Sequence, residues 1–458
     1  MSLRWRITTS TGWHNVLLKS IRQSPRSAVP MLSPLATAVR GKGILPFLSR
    51  SYAIAARYGF SAGKMAQALS QLVGVLMEYD CQATIPVTAC ALARQPSLAE
   101  KYQALGLELA VHGYKHVDYL QLSAEQHRDH LCRARQVFEQ AGIPAVGFRS
   151  PYLRWNEDML SMLEEYGFDY DSSQVIAWNA ASKLETEAYT RVLQFYGARS
   201  ADQYPSLPRL VGNLVQIPYC LPDDEALVER MGLLDRSEMS QVWVTMLDLI
   251  YSAGELFTLG IHPERASLCK EALHAVLAKA RSLSPAVWIA SLSEIAAWYR
   301  CLAEVTFATI PQANGCTRVT INAPAGAVVL ARNIITTAPG QRWGWGYERI
   351  PGNVLDIEGD RYPWIGLPPD SPASLKSFLQ HQGYLVETSA HSDAFSFYVE
   401  RRTFQPEDER SLLSEIETGT QPLLRIGRWP EGARAALAVT GDIDAFTLWD
   451  YGLRFFNY

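Results

Sequence analysis

The sequence of 458 residues has no long hydrophobic run, no strong excess of charge of one sign and no closely paired cysteines. No apolar run approaches the roughly 18 residues that a membrane-spanning helix requires, so we expect no membrane span. Lys and Arg number 42 against 46 Asp and Glu, and this near-neutral balance lacks the basic footprint that is typical of nucleic-acid binding. Charged residues make up only 19% of the chain, which is too few for a disordered or coiled-coil protein.

The cysteines lack a paired spacing, and the start of the chain lacks the features of a secretory leader. The cysteines lie scattered along the sequence without a Cys-x-x-Cys pair: Cys81, Cys90, Cys132, Cys220, Cys269, Cys301 and Cys316. This pattern disfavours a disulfide framework and a Cys-based zinc site, and it favours reduced thiols. The N-terminal segment lacks the apolar core and the small-residue cleavage site of a secretory leader. We therefore expect a cytoplasmic globular protein, for which the length suggests about three domains.

Short apolar runs alternate with amphipathic helical patterns between residues 61 and 300. The helical patterns include an apolar stripe from Met65 to Leu76 and a capping box formed by Ser123 and Gln126. Strand candidates lie at 83–87, 107–111, 145–148, 168–170, 214–218, 256–261 and 286–290. Repeated strand–helix units predict an α/β fold with a parallel sheet or a barrel.

Changes in these patterns divide the chain into four predicted parts. Residues 1–50 form an N-terminal lead-in with weak periodicity, and residues 51–303 form the main α/β part. Residues 304–420 contain β-prone runs with many Gly, Pro and aromatic residues, and we interpret them as a smaller α+β region. Residues 421–458 hold one more buried-strand pattern, from Ala435 to Val439.

Polar residues with catalytic potential follow several of the apolar runs directly. The carboxyl ends of parallel strands meet at one edge of a sheet, and the active sites of such folds lie at that edge. The residues that this rule brings together are His112, His116, Arg149, Asp171, His262, Asp442 and Asp444. Their convergence predicts a catalytic site on one rim.

The residue types on this rim suit a metal-dependent hydrolase. His112 and His116 are four residues apart, which is a ligand spacing for zinc or a similar divalent ion. A third ligand, commonly a carboxylate, would leave one position for a water molecule, whose pKa a metal lowers to about 7. A further carboxylate could act as general base and a separate histidine as general acid, while an arginine holds a carboxylate in place.

Four short motifs resemble those of the polysaccharide deacetylases, which are also known as nodulation-type chitooligosaccharide deacetylases or carbohydrate esterase family four. The motifs are His112-Gly113-Tyr114-Lys115-His116, Arg149-Ser150-Pro151-Tyr152, Asp171-Ser172-Ser173 followed by Trp178, and Ile261-His262-Pro263. The resemblance covers residues 55–300 and implies a distorted (β/α) barrel. It also implies an activity that removes N-acetyl or O-acetyl groups from sugars with the help of a divalent metal.

The resemblance implies a metal centre at the histidine pair. His112 and His116 would bind the ion, for which zinc is expected, with cobalt, nickel or iron as alternatives. A metal-bound water would be the nucleophile. The substrate would be an acetylated sugar or a related small molecule.

The resemblance also implies roles for the other matching residues. Arg149 would orient the catalytic base, and the backbone N–H of Tyr152 would stabilise the oxyanion. His262 would be the general acid, and Asp171 would be the partner that tunes it.

One element of the family is absent from its usual place. The aspartate pair that supplies the base and the third ligand should precede the histidines, yet nothing before His112 matches it. The run from Ala435 to Val439 leads instead to Asp442 and Asp444. We therefore expect a circularly permuted barrel, with Asp442 as base and Asp444 as ligand, or with these two roles exchanged. The same strand could alternatively complete a neighbouring subunit's barrel in a swapped homodimer.

A different functional class is the main alternative to an enzyme. The chain could be a non-catalytic carbohydrate-binding or scaffold protein built on a decayed deacetylase barrel. One group of aromatic residues could stack on sugar rings, although packing inside a fold is the commoner use of such residues: Trp343, Trp345, Tyr347, Tyr362 and Trp364.

Two further polar groups receive a structural interpretation. Asp223, Asp224 and Glu225 follow a proline, and we expect them in an exposed acidic turn that starts a helix. His127 and His130 are expected on the solvated face of their helix.

Overall fold

Strands and helices alternate in the first part of the chain because its apolar residues come in short runs separated by amphipathic segments. The computed structural model describes residues 57–180, 186–312, 316–336 and 339–453, so the lead-in expected over residues 1–50 lies outside them. The strands up to residue 303 are β1 (Ala83–Val87), β2 (Glu108–Val111), β3 (Gly147–Phe148), β4 (Tyr170–Asp171), β5 (Val175–Ala177), β6 (Arg199–Ser200), β7 (Arg209–Val211), β8 (Leu214–Gln216), β9 (Tyr219–Leu221), β10 (Leu256–Gly260) and β11 (Val287–Ile289).

Helices connect these strands. The helices are α1 (Gly63–Glu78), α2 (Ala89–Leu92), α3 (Pro96–Gln103), α4 (Ala124–Gln140), α5 (Glu157–Glu165), α6 (Glu187–Tyr196), α7 (Arg236–Ala253), α8 (Ala266–Ser282) and α9 (Leu292–Ala303). The predicted capping box is present at the start of α4, where Ser123 and Gln126 each accept a hydrogen bond from the other's backbone N–H. Among the described residues, no helix combines the length and the apolar character that crossing a membrane requires.

Residues 304–426 add strands of a different kind. The strands are β12 (Thr306–Pro311), β13 (Thr317–Asn322), β14 (Val329–Arg332), β15 (Ile335–Thr336), β16 (Gln341–Gly344), β17 (Tyr347–Ile350), β18 (Val354–Glu358), β19 (Tyr362–Leu367), β20 (Val386–Thr388), β21 (Phe395–Tyr398) and β22 (Leu423–Ile426). Helices α10 (Ala373–His381) and α11 (Glu409–Thr418) lie between them. The groups β12-β13-β18-β15 and β16-β17-β14-β22 are antiparallel sheets, and β20-β19-β21 is parallel. This mixture confirms the α+β character predicted for the region, while its boundaries stay predictions.

A curled, mainly parallel sheet is the centre of the fold. Its strand order is β10-β23-β1-β2-β3-β4-β8-β7, where β23 is Ala435–Thr440, and β7 pairs with β8 in antiparallel fashion. Strand β11 pairs with β23 as well, and β6-β5-β9 forms a small parallel sheet of its own. The short helix α12 (Leu448–Leu453) follows β23. This half-barrel confirms the predicted α/β fold class.

The C-terminal strand β23 is fully buried between β10 and β1. Leu437 and Val439 belong to the core that also contains the apolar side of α1. Ala436 and Ala438 belong to a second core, which the sheet shares with residues 304–426. This alternation is that of a strand buried on both faces. The end of the chain therefore supplies a central strand of the sheet.

Candidate metal centre and active site

The carboxyl ends of β2, β3, β10 and β23 lie at one edge of the sheet. The connections that leave this edge carry six of the sequence-predicted residues: His112, His116, Arg149, His262, Asp442 and Asp444. Gly441 allows two of these connections to approach closely, because a Cβ at this position would lie 2.0 Å from the carbonyl oxygen of Ile261. The site is therefore built on neighbouring strands of one rigid sheet.

His112, His116 and Asp444 lie close enough to share one metal ion. Nε2 of His116 lies 3.2 Å from Oδ1 of Asp444, and Nε2 of His112 lies 3.6 Å from the same oxygen. Ligand atoms that are about 2.0–2.2 Å from a tetrahedral zinc ion lie about 3.3–3.6 Å apart. The three ligand atoms all lie within 4.8 Å of one another. The donor set and its spacing therefore fit a divalent cation such as zinc.

A hydrogen bond fixes the tautomer of His112. Its Nδ1 lies 2.9 Å from the backbone carbonyl oxygen of Arg149. Because a carbonyl oxygen can only accept, Nδ1 carries the proton in this bond, which places the lone pair of the neutral ring on Nε2. Metal-binding histidines commonly hold their other ring nitrogen in this way. The nitrogen that faces Asp444 is thus prepared to act as a ligand.

Asp442 lies beside this cluster and is held by Arg149. Nη1 of Arg149 donates to Oδ1 of Asp442 at 2.8 Å and to Oγ1 of Thr440 at 3.0 Å. The guanidinium is fully buried, and Ser172 accepts from Nε and Nη2 through its carbonyl and hydroxyl oxygens. Burial disfavours the charged form of Asp442, but the charge of Arg149 holds the pKa of this carboxyl below its ordinary value. Asp442 is therefore ionised. Its other oxygen, Oδ2, lies 3.9 Å from Nε2 of His112.

The turn after β3 has a strained backbone next to the histidines. Tyr152 and Leu153 have φ angles of 59° and 54°, a left-handed conformation that non-glycine residues rarely adopt. The ring of Tyr152 packs edge-on against His116, with 4.5 Å between the ring centroids. Oγ of Ser173 supports the turn by accepting from the N–H of Ser150 at 2.8 Å. The fold therefore holds Tyr152 in one orientation beside the cluster.

His262 has a carboxylate partner, Asp224, that the sequence interpretation missed. Oδ1 of Asp224 lies 2.8 Å from Nδ1 of His262, and Oδ2 accepts from the backbone N–H of His262 at 2.9 Å. Nη1 of Arg265 donates to the same carboxylate at 3.1 Å. Burial disfavours the histidine cation, but the charge of Asp224 outweighs it and raises the pKa of His262 to about 10. At neutral pH His262 is therefore protonated on both ring nitrogens.

Two expectations about the acidic residues are corrected by this geometry. Asp223 and Asp224 are buried, so the exposed acidic turn expected at this position is wrong. Asp171 does not pair with His262, because its carboxylate accepts from the N–H and the hydroxyl of Ser173, at 3.1 and 2.5 Å. Burial raises the pKa of Asp171 to about 6. Asp171 holds the serine that supports the Tyr152 turn and does not hold the histidine.

A signal for Asp224 is present in the sequence. Asp223 and Asp224 follow the carboxyl end of β9, just as the other site residues follow their strands. Strand β9 has only three residues, so its apolar run is too short to stand out from the neighbouring Leu214–Gln216 strand.

One histidine prediction is wrong. His127 is buried, and its ring hydrogen-bonds to the carbonyl oxygen of Tyr119 instead of facing solvent. The ring of His127 also stacks on that of Tyr119, with 5.4 Å between centroids. This histidine is therefore part of the packing under the loop that follows His116.

Most of the aromatic group in residues 304–420 is used for packing. Trp364 and Tyr347 are buried. Trp343 donates from Nε1 to the carbonyl oxygen of Gly432 at 2.7 Å. Trp345 differs, because 43% of its surface is exposed at the tip of the β16–β17 hairpin.

Comparisons with known proteins find similarity to deacetylases over part of the chain. The family model described as polysaccharide deacetylase matches residues 59–170. The chain is 44% identical over 69 residues to the peptidoglycan deacetylase-like protein FGM2 of Gibberella zeae, covering 15% of this chain and 20% of that protein. It is 24% identical over 176 residues to the peptidoglycan deacetylase of Helicobacter pylori, covering 35% of this chain and 58% of that protein. The chain therefore spans less than two thirds of either relative.

Among solved structures, the chain is similar to a putative polysaccharide deacetylase from Mycobacterium smegmatis. The TM-score is 0.41 at 24% identity, and the match covers 55% of this chain and 84% of that one. The region matched by the family model contains His112, His116, Arg149 and Tyr152 but stops before the aspartates near the C-terminus.

Proposed function

We propose, from the polysaccharide deacetylase domain to which residues 59–170 belong, that the chain is a metal-dependent hydrolase that removes an acetyl group from an N-acetylated or O-acetylated sugar. Membership of this family supports an acetyl-removing hydrolase that acts on amide bonds. The metal requirement, the acetylated substrate and the roles of individual residues are the parts that we add to it.

The observation that carries the proposal is the combination of three groups at one edge of the sheet. The first is the triangle of His112, His116 and Asp444. The second is the ionised Asp442 on the buried Arg149, and the third is a histidine cation, His262, on its own carboxylate. A base and an acid together with a cation site are what metal-assisted amide hydrolysis requires.

We infer that His112, His116 and Asp444 hold the metal ion. When bound, a divalent ion acts as a Lewis acid, which makes water more acidic and polarises an acetyl carbonyl. The cluster suits zinc, because two imidazole nitrogens and one carboxylate are a common set of ligands for a catalytic zinc. The same set tolerates cobalt, nickel or iron.

Asp442 and His262 move the protons in this mechanism. Asp442 takes a proton from the attacking water, and it can do so because Arg149 occupies Oδ1 while Oδ2 faces the cluster. The backbone N–H of Tyr152 donates to the oxygen of the tetrahedral intermediate. His262 gives its Nε2 proton to the leaving nitrogen or oxygen as the bond to the acetyl carbon breaks.

We also propose that the order of the barrel strands is circularly permuted. The support is that β23 lies between β10 and β1, although it comes last in the sequence. Removing residues 434–458 tests this proposal. We expect the truncated chain to bind no metal and to lose its fold, and a folded, metal-loaded and active product would overturn the proposal.

The experiment that tests the proposed function combines metal analysis with acetate release. The purified chain is expected to bind about one divalent ion and to release acetate from at least one member of a panel of acetylated amino sugars. Chelation should abolish the release, and added zinc or cobalt should restore it. Stoichiometric metal without acetate release from any substrate would overturn the proposal and favour the non-catalytic carbohydrate-binding alternative.

A further inference from the structure

A carboxylate that the proposed mechanism does not use faces the proposed general acid. Oε2 of Glu225 lies 4.0 Å from Nε2 of His262. Nε2 is the ring nitrogen that Asp224 leaves free, because Asp224 holds Nδ1 at 2.8 Å. In the proposed mechanism Nε2 gives its proton to the leaving group. Glu225 therefore lies beside the position that the leaving group must occupy.

An ion pair within one short helical turn holds the side chain of Glu225. Its Oε1 accepts from Nη2 of Arg230 at 2.8 Å, and its Oε2 is the oxygen on the side of His262. Both residues belong to a π-helix, Glu225–Arg230, in which residues five apart lie about one turn from each other. Such helices are rare and occur frequently at functional sites. The side chain of Glu225 is only 19% exposed, so most of it is covered by protein.

A row of packed side chains connects this ion pair with the metal cluster. The guanidinium of Arg230 lies over the ring of Phe195, with 5.3 Å between Cζ and the ring centroid. Phe195 packs edge-on against Tyr152, with 6.1 Å between centroids, and Tyr152 packs against His116. Glu225 is therefore part of a continuous side of the site that extends from the proposed acid to a proposed metal ligand.

The gap between Nε2 of His262 and Oε2 of Glu225 suits a nitrogen that carries one hydrogen. In the tetrahedral intermediate of amide hydrolysis, the leaving nitrogen has one lone pair and one N–H, which diverge at the tetrahedral angle. Two partners at about 2.9 Å from this nitrogen are then about 4.7 Å apart, close to the observed 4.0 Å. The lone pair accepts from Nε2 while the N–H donates to Oε2. The leaving oxygen of an ester has no hydrogen, so its lone pairs would face the carboxylate.

We infer that Glu225 is a specificity-determining residue, which accepts a hydrogen bond from the N–H of the scissile amide and so selects N-acetyl over O-acetyl groups. The inference rests on the proposed function, which includes both kinds of substrate. As the C–N bond breaks, its electron pair stays with the nitrogen. The nitrogen takes the proton of Nε2 of His262 and keeps its own hydrogen, so Glu225 neither gains nor loses a proton.

The surroundings of Glu225 set the size of the expected selectivity. A site that hydrogen-bonds a substrate N–H discriminates against an analogue that lacks it, because the polar group of the site is then left unpaired. Glu225 keeps Arg230 as a partner in either case and is partly exposed. We therefore expect the contact to contribute about 10–100-fold, the range that corresponds to one hydrogen bond to a charged group.

The test compares acetate release from an N-acetylglucosamine tetramer with release from a xylose tetramer that carries O-acetyl groups. The metal-loaded full chain is compared with Glu225→Ala, which removes the acceptor. We expect kcat/KM for the amide to fall about 10–100-fold, while kcat/KM for the ester stays within about twofold. Glu225→Gln should lose less on the amide, because a neutral amide oxygen still accepts the N–H, although more weakly than a carboxylate.

Glu187→Ala is the matched control. The carboxylate of Glu187 also pairs with an arginine, Arg191, at 3.3 Å, and it lies on α6, the helix that carries Phe195. Its side chain is 92% exposed, in contrast to that of Glu225. This variant should keep both values of kcat/KM. Thermal unfolding of each variant shows whether the fold is intact.

Equal losses on the amide and the ester would overturn the inference, because Glu225 would then act through His262 and not on the substrate. Unchanged values in Glu225→Ala, or release from the ester alone, would overturn it as well.

Calorimetric titration with the N-acetylglucosamine tetramer separates the inference from the proposed function. If neither substrate releases acetate, the proposed hydrolase is rejected. Weaker binding by Glu225→Ala than by Glu187→Ala would then still support the contact between Glu225 and the amide N–H. Equal binding by the two variants would reject that contact too.

Discussion

The guanidinium of Arg149 lies over the ring of Tyr219, with 4.7 Å between Cζ and the ring centroid. The hydroxyl of Tyr219 donates to Oδ2 of Asp223 at 2.7 Å, and Asp223 is the chain neighbour of Asp224. A continuous buried path therefore connects the carboxylate proposed as base, through Arg149 and Tyr219, to the partner of the proposed acid. Burial, followed by the charge of Asp224, raises the pKa of Asp223 above its ordinary value.

Gly260 makes the room that Tyr219 needs. A Cβ at residue 260 would lie 1.7 Å from the hydroxyl oxygen of Tyr219, so Gly260→Ala must displace the ring that supports Arg149. Overpacking of a core costs about 1–3 kcal/mol, and we expect the free energy of unfolding in urea to fall by this amount. Acetate release should fall further than stability alone explains, because Arg149 holds Asp442.

Gly74→Ala is the control for this substitution. Gly74 lies within α1, where a Cβ would meet nothing within 4 Å. Alanine is favoured over glycine in a helix by about 1 kcal/mol, so this variant should be as stable as the unaltered chain or more stable. Equal behaviour of the two variants would show that Tyr219 does not depend on Gly260.

The two aspartates after β23 should respond differently to replacement by asparagine. Asp442→Asn keeps an oxygen for Arg149 but cannot take a proton, so kcat should fall by about 10²–10⁴ while metal content persists. Replacing a residue that hydrogen-bonds to a metal ligand lowers metal affinity by roughly 10–100-fold. Asp444→Asn should lower metal affinity by more than this, because Asp444 is itself a proposed ligand. Metal content by mass spectrometry and acetate release together distinguish the two. The opposite pattern would exchange the roles of Asp442 and Asp444.

Some features of the fold can be predicted from short stretches of the sequence, and others cannot. Strands β2, β10 and β23 are four to six residues long, are mostly apolar and lead into polar motifs, so their existence and their chemistry are visible in the sequence. The position of β23 between β10 and β1 is not a local property. It is predictable only from the order of the motifs in a resembling family.

The carboxylate partner of His262 cannot be predicted from the local sequence. Asp171 is the last residue of a short strand, Asp224 follows another short strand, and both are fully buried. The choice between them depends on which strand lies beside β10, and β9 is the one that packs closely against it. Burial of Asp224 is tolerated because His262 and Arg265 both pair with it, and these partners lie about forty residues away in sequence.

The central position of β23 predicts a large stability cost for truncating its side chains. Leu437 is fully buried, so Leu437→Ala should lower the free energy of unfolding by about 2–5 kcal/mol. Leu234 is 64% exposed, and Leu234→Ala should change stability by less than about 0.5 kcal/mol. Denaturant titration compares the two. A small effect at Leu437 would mean that the strand is not part of the cooperative core.

The ion pair between Asp224 and His262 predicts the alkaline limit of activity. The carboxylate raises the pKa of His262 to about 10, so the histidine can donate a proton up to that pH, and activity should decline above it. In Asp224→Asn the opposing charge is gone, while burial and the charge of Arg265 still disfavour the cation. The pKa of His262 should then fall to its ordinary value of 6.5 or below, and the alkaline limb of kcat/KM should move down by more than about three pH units.

The same pair has a stability signature with a defined sign. A histidine whose folded pKa is raised stabilises the fold fully below its unfolded pKa, and this contribution is lost as the pH rises through the folded pKa. Asp224→Asn should therefore lose most stability near pH 6 and little near pH 10. Asp223→Asn is the matched control, because the carboxylate of Asp223 contacts Tyr219 and not the imidazole of His262. An alkaline limb that shifts equally in both variants, or in neither, would show that Asp224 does not set the protonation of His262.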